Sequence, residues 1–412
     1  MGSTTNPVVV VAPDSFKGSL SAREVADAMA RGLKRALPGA TVRARPMADG
    51  GEGTIEAILG TEEEPGPAGL RLDRGKTAAP LPSGEGERRT HVVTGASGRP
   101  RQATYGLVNR PEGRTAVVEI AEIVGITDGD GTAAPVDARS TRGVGELVRA
   151  LLDAGLRRVM IGLGGSSTND GGAGMLEALG ARFLDEAGRP VEPTPAGLVR
   201  LAAVDAGGLD PRLRACAITI LSDVTNPLCG AGGASAVFGP QKGLRAGDIA
   251  AVDAVLARYA ALTERALGAA TAGAAAQPGS GAAGGLGFAA RAIGGTFASG
   301  AQVIADLIGL DAALADADWA ITGEGRSDEQ TLSGKAPSVV AARARDRGVP
   351  VTLLSGALDD AALPALGDVF AGCFALPGRP MSLDACIASA DRLLTDRAAA
   401  IGALWRRLPA AR

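Results

Sequence analysis

The chain opens on a β-branched run, Val8–Val11, halted by Pro13 and Asp14, a pattern that predicts a buried strand leading into the loop Asp14-Ser15-Phe16-Lys17-Gly18. Ser21 and Glu24 then stand three apart ahead of an apolar-periodic stretch, the spacing of a capping box. A helix is expected from there to about Leu37, where Pro38-Gly39 ends it. Residues 41–47 read as a second strand, 48–54 as its Gly-rich exit and 55–59 as a short helix. From about Thr61 to Arg89 the chain is rich in Glu, Pro, Gly and Arg without a period, and is expected to be a crossing between domains or a surface loop.

Alternation of apolar and polar positions between about residues 91 and 126 predicts antiparallel strands, hence a change of domain near residue 90. The pattern returns to helix at 143–154, strand at 158–163, a glycine-rich loop at 164–172 and helix at 173–181. A strand follows at 215–221 and an Ala-rich helix at 247–267, before an Ala/Gly segment to residue 287 that is either a linker or a tight glycine loop. The last third repeats strand and helix, with strands at 319–322, 351–354 and 369–375 and helices at 336–347 and 382–404. Such alternation indicates a parallel sheet with helices on both faces. The expected fold class is α/β: a discontinuous parallel-sheet domain over residues 1–62 and 285–412, with a second α/β domain, 63–284, inserted in it. A length of 412 residues suits two cores better than one.

Composition narrows the function more by exclusion than by suggestion. A net charge of −3 with no long basic block, and only 2 Trp, 2 Tyr and 7 Phe, argues against a nucleic-acid partner. Cys216, Cys229, Cys373 and Cys386 lack CxxC spacing and read as free thiols of a reducing compartment. With no signal-like N-terminus and no 18-residue apolar run, a cytoplasmic protein without membrane attachment is expected. A single histidine, His91, rules out a His-rich metal centre and, at a strand edge without a partner motif, argues against a Ser-His-Asp triad, so acid–base chemistry falls to carboxylates or lysine.

The 60 glycines cluster beside acids and hydroxyls in six loops, each following a predicted strand: DSFKG, ADGGEGT, GGSSTNDGG, SDVTNP, TGEGRSD and SGALDD. Open α/β sheets bind ligands beyond the carboxyl ends of their strands, so these loops would gather at one place. The loop 164–172 suits an anion, because glycines let backbone N–H groups approach phosphate oxygens and a helix follows. Within it, Asp170 suits acceptance of a hydroxyl proton or the holding of Mg²⁺, against the alternative of a helix cap. Lys17, Lys242, Arg326 and Lys335 are candidate cations, and Asp223, Glu324 and Asp328 are hard oxygen donors of the kind Mg²⁺ prefers. TLSGKAP is not a P-loop, since it lacks the upstream Gly and has Ala336 after the Lys, and the GxGxxA match at 285–290 follows filler instead of a strand.

The strings APDSFKGSLSA, MADGGEGT, GLGGSSTNDGGAGMLEALG, DVTNPLCGAGGASAVFGPQKG and TGEGRSDEQTLSGKAP resemble the bacterial type I glycerate kinases over most of the chain. The resemblance implies a flavodoxin-like domain plus a second domain, with the active site in the inter-domain cleft. It further implies ATP- and Mg²⁺-dependent phosphorylation of D-glycerate, most often at the 2-hydroxyl, giving 2-phosphoglycerate and ADP. On that reading Asp170 deprotonates the hydroxyl, and Lys17 and Arg326 neutralise carboxylate or transferring phosphate. Asp223 and Glu324 serve Mg²⁺; Asp14, Ser15, Asp49 and Glu52 line the substrate side. Gly164, Gly165, Ser166, Thr168 and Asn169, with Lys242, hold the nucleotide. Alternatives are a kinase of another small hydroxy acid, a 3-phosphoglycerate-forming enzyme, a non-catalytic acid-binding regulator, or an oxidoreductase using the Gly162 turn. The partners expected are glycerate and ATP, and assembly as a homodimer is compatible with the sequence.

Overall fold

The structure is a computed structural model that describes residues 6–60 and 86–407, so the expected crossing over 61–89 lies outside the described residues except for its last few. In chain order the strands are β1 (Val8–Val11), β2 (Thr41–Ala44), β3 (Glu87–Thr94), β4 (Pro100–Arg110), β5 (Gly113–Glu119), β6 (Arg158–Gly162), β7 (Arg182–Leu184) and β8 (Ala203–Asp205). They continue with β9 (Ala217–Leu221), β10 (Thr296–Ala298), β11 (Trp319–Thr322), β12 (Arg326–Ser327), β13 (Val351–Ser355), β14 (Ala357–Leu358) and β15 (Gly372–Ala375). Two compact units form: the first holds residues up to Asp49, 56–60 and everything described from Ala301 onward, and the second holds Gly50–Ile55 and residues 86–300.

The first unit is built on five parallel strands in the order β15-β13-β11-β1-β2. Numbered within the unit this is 2-1-3-4-5, the order of flavodoxin-like sheets. Its strands VVVV, WAIT and VTLLS are continuous apolar runs because a parallel sheet is covered on both faces. The helix Ala22–Ala36 starts on the expected capping box: Ser21 Oγ accepts from the Glu24 amide at 3.3 Å while the Ser21 amide donates to Glu24 at 2.8 Å. Gly32 lets this helix approach the helix Ala390–Trp405, since a Cβ there would lie 2.2 Å from the Thr395 carbonyl oxygen.

The second unit carries a six-stranded sheet, β10-β9-β6-β5-β4-β3. The expected antiparallel pairing holds for β3 with β4 and β4 with β5, and β5 also pairs in parallel with β6, so the sheet continues in parallel through β9 to β10. The Ala/Gly segment is a tight glycine turn. Ala283, Gly284 and Gly285 have φ of 54°, 67° and 94° at the start of the helix Ala282–Ala292, and a Cβ on Gly284 would sit 2.0 Å from the Thr168 carbonyl. Residues 285–300 pack in this unit, and the chain returns to the first unit at Ala301.

Candidate active site

In the first unit the strand order puts the topological switch point between β1 and β11, and the loops after those two strands carry Asp14 and Glu324. They are pinned together, the Asp14 amide donating to the Gly323 carbonyl at 2.8 Å. Glycine is required here: a Cβ on Gly323 would lie 1.8 Å from the Leu354 carbonyl, and one on Gly356 2.3 Å from that of Gly325. Asp14 is buried and its Oδ1 accepts from the Ser15 amide at 2.6 Å. Burial, and then the neighbouring Asp49 carboxylate, push its carboxyl up to about 7 against the opposing pull of the Ser15 amide and Lys17.

Lys17 Nζ lies 3.7 Å from Asp49 Oδ2 with its side chain 73% exposed, so that pair is screened by water and contributes little to stability. Glu324 Oε1 accepts from Thr331 Oγ1 at 2.6 Å and from Ser327 Oγ at 3.1 Å, while Oε2 stands 3.8 Å from Lys335 Nζ. Burial raises the pKa of Glu324 above the ordinary carboxylate range. Arg326, exposed on β12, donates to Asp359 at 2.9 Å. Asp14, Lys17, Asp49 and Glu324 thus share one electrostatic neighbourhood, with Ser15 half-buried beside them. The hydroxyls of Ser327 and Thr331 that bind Glu324, and that of Ser355 at 2.8 Å from Ser327, are absent from the candidate site residues read from the sequence, although Thr331, three residues after Asp328, completes a legible capping box.

In the second unit the loops at 50–53 and 162–164 meet backbone to backbone. The Gly164 amide donates to the Gly50 carbonyl at 3.3 Å, and a Cβ on Gly162 would lie 2.2 Å from that same oxygen. Glu52 is exposed, whereas Glu119, unanticipated, closes β5 with a buried carboxylate that accepts from the amides of Gly53, at 3.1 Å, and Ile55. Burial pushes Glu119 up to about 7. The signal available for it was a lone acid ending an apolar strand run, which also fits a turn.

Lys242 does reach the loop after β6, but from beneath. It is buried, and its Nζ donates to Ser166 Oγ at 3.0 Å and to the Thr168 carbonyl at 2.8 Å. Burial pulls it down to about 7. Arg139 adds bonds to the carbonyls of Ser167 and Lys242, at 3.0 and 3.1 Å. Ser166, Thr168 and Asn169 are buried too, Asn169 donating to Ser235 Oγ at 3.0 Å, so the loop offers its outer surface through Gly164 and the exposed Gly165.

Asp170 has none of its surface exposed. Its Oδ2 accepts from the amide and hydroxyl of Thr141, at 2.7 and 2.8 Å, and from the Gly174 amide at 3.2 Å, while Oδ1 accepts from the Gly172 amide at 3.1 Å. Burial raises its pKa in spite of these four donors. Full burial and four donors from three different residues give Asp170 the geometry of a loop anchor, where the sequence predicts a proton acceptor. The N-cap of the helix that follows is Gly172, and Asp170 holds the amides of Gly172 and Gly174 from two residues before it.

Asp223 is exposed just past β9. Among the described residues no cluster of three or more His, Cys, Asp or Glu side chains is placed to hold a metal ion. Mg²⁺ commonly takes one or two protein carboxylates and completes its shell with water and phosphate oxygens, so single hard donors such as Asp223 and Glu324 suit it chemically. No described helix is long and apolar enough to cross a membrane.

The glycerate kinase family model matches residues 9–65 and 74–406. A glycerate kinase of Bacillus subtilis (strain 168) is 41% identical over 356 residues, covering 85% of each chain. The glycerate 2-kinase of Escherichia coli (strain K12) is 38% identical over 358 residues, 85% of this chain and 86% of that one. The crystal structure of a protein provisionally named glycerate kinase 2, from Salmonella typhimurium LT2, superposes with a TM-score of 0.76 at 38% identity, covering 98% of this chain and 99% of that one.

Proposed function

The chain belongs to the glycerate kinase family and is a phosphotransferase, and from that premise we propose that it transfers the γ-phosphoryl group of ATP to the 2-hydroxyl of D-glycerate, giving 2-phosphoglycerate and ADP. The observation that carries the reading is the grouping of Asp14, Lys17 and Glu324 on the loops at the switch point of the first unit's sheet, with Asp49 joining them from the loop after β2. Asp14 is the proton acceptor in this proposal: a carboxyl held near neutrality matches the task of taking a hydroxyl proton as the oxygen attacks phosphorus. The proton passes to Asp14, the new P–O bond forms as the bond to the ADP oxygen breaks, and ADP leaves with that electron pair.

Lys17 and Arg326 are exposed cations suited to the substrate carboxylate and the transferring phosphate, with Ser15, Asp49 and Glu52 as further hydroxy-acid contacts. The exposed Gly165 backbone serves the nucleotide phosphates beside Gly164, whose amide is held by Gly50, and Ser166, Thr168, Asn169, Lys242 and Asp170 hold that loop in place. Asp223 and Glu324 supply oxygens to Mg²⁺, which when bound neutralises charge on the phosphates.

The test is a coupled ADP-release assay with ATP and D-glycerate, followed by ³¹P NMR of the product. A 2-phosphoglycerate signal that requires both substrates is expected. Turnover without it, or a 3-phosphoglycerate signal, would sink the proposal.

A further inference from the structure

At the amino ends of the second unit's strands, remote from the glycine loops, lies a cavity of about 160 Å³ lined by Arg110, Thr115, Arg158, Met160 and Thr219 with Glu112 at its side. The sheet register explains the grouping. Val117 pairs with Met160, which in turn pairs with Thr219, so Thr115 and Arg158, each two residues before its partner in that row on β5 and β6, project from the same face. Arg110 comes from the end of β4, opposite Gly113 across the hairpin, where a φ of 125° turns the chain so that Arg110 and Glu112 flank the cavity.

Two guanidinium groups and the Thr219 hydroxyl around one hollow form a donor-rich site, while the Thr115 hydroxyl is spent on the Gly113 carbonyl at 3.1 Å. Arg110 shares its charge with the half-exposed Glu112, 3.4 Å from its Nε, and its Nη1 reaches only the thioether of Met160 at 3.8 Å. The Arg158 guanidinium has no hydrogen-bond or ion-pair partner among the described residues. Arginine forks match tetrahedral oxyanions, and hydroxyl donors complete such a shell. The volume exceeds the roughly 30 Å³ share of a water molecule and falls below the ~300 Å³ of sites for drug-sized ligands. That leaves room for phosphate or a small phosphorylated acid but not for a nucleotide. Arg158 and Gly162 are the two ends of β6, so the cavity stands roughly 13 Å along the strand from the glycine loops.

We propose that this cavity is a second anion site, separate from the catalytic loops, that binds a phosphate-ester dianion of three-carbon size through Arg158, Arg110 and Thr219. The inference does not depend on which hydroxyl the enzyme phosphorylates. Glu112 opposes the ligand and gives way to it, so its removal strengthens binding.

The experiment is equilibrium dialysis of the full chain against ³²P-labelled inorganic phosphate at constant ionic strength, with unlabelled phosphate or malonate as competitors. Glycerate and a non-hydrolysable ATP analogue are kept saturating so that the catalytic loops are occupied. Arg158→Met is expected to weaken phosphate binding about tenfold or more, Arg158→Lys to recover part of it, and Glu112→Gln to tighten it severalfold. Lys17→Ala is expected to leave it unchanged. Circular dichroism and the melting temperature verify that each variant is folded, and should Arg158→Met fail to fold, Glu112→Gln still reads the sign. No saturable binding to wild type, unchanged binding in both Arg158→Met and Glu112→Gln, loss of binding in Lys17→Ala, or malonate outcompeting phosphate would each overturn the proposal.

Discussion

Replacing Asp14 by Asn should cost activity and gain stability, and the size of the gain follows from where the carboxyl sits. Burial and Asp49 hold it at about 7 instead of its ordinary 3.8, so keeping the ionised form in the folded state costs about 4 kcal/mol. Above the ordinary value the unfolded chain has released this proton, while the folded chain keeps it until about 7. The group's favourable contribution is therefore fully present at low pH and is lost as the pH rises through this window. Between pH 5 and pH 8 the wild type should lose roughly 2.5 kcal/mol on this account alone, and the Asp14→Asn variant should not.

The assay is urea unfolding in metal-free buffer, followed by tryptophan fluorescence. Both tryptophans, Trp319 and Trp405, lie in the first unit and stack at 4.8 Å, so the signal reports the unit that contains Asp14. The stability difference between variant and wild type should swing toward the variant by about 2.5 kcal/mol from pH 5 to pH 8, with kcat falling by ~10²–10⁴. A difference that stays flat with pH would refute the electrostatic reasoning, and a variant with near-normal kcat would remove Asp14 from proton transfer.

Three further outcomes are expected. Asp170→Asn sets an amide against donors that now meet a carboxylate, so stability should fall by about 3 kcal/mol along with activity; loss of kcat at an unchanged melting temperature would return Asp170 to the chemistry. Lys242, pulled from 10.5 to about 7, is bound to fewer protons in the folded than in the unfolded chain between those values, so wild-type stability should gain roughly 2 kcal/mol from this group between pH 7 and 9; Lys242→Met should abolish that slope, as read by calorimetry across the range. Gly162→Ala places a methyl against the Gly50 carbonyl and should destabilise the protein by about 3 kcal/mol, and a change under about 0.5 kcal/mol in thermal unfolding would show that the loops can part.

Much of the fold was legible because its strands and helix starts obey local rules. Val8–Val11 and residues 319–322 read as buried strands from composition alone, and Ser21 with Glu24 marked a helix start that the hydrogen bonds reproduce. The Ala/Gly segment before residue 287 left two alternatives open, because its role is set by what it touches. Gly284 and Gly285 take left-handed conformations so that backbone can lie against Thr168 and Gly171, residues more than a hundred positions earlier. No local pattern encodes such a contact.

The same distinction separates the carboxylates. Asp14, Glu119 and Asp170 all stand beside glycine or at a strand end, and only Asp14 and Asp170 read as site residues in the sequence, yet burial and donors assign all three different work. Asp170 meets four donors and can offer nothing outward, Glu119 is spent on the amides of Gly53 and Ile55, and Asp14 has only its neighbour's amide. Burial lifts all three, Asp14 and Glu119 alike to about 7, so the shift does not separate them; a carboxylate bonded to several N–H groups is structural because protonating it would unmake those bonds, whereas Asp14, with a single amide donor, can exchange a proton cheaply. The number of donors around each acid, set by loops far apart in sequence, is what turns a glycine-rich motif into either a scaffold or a reagent.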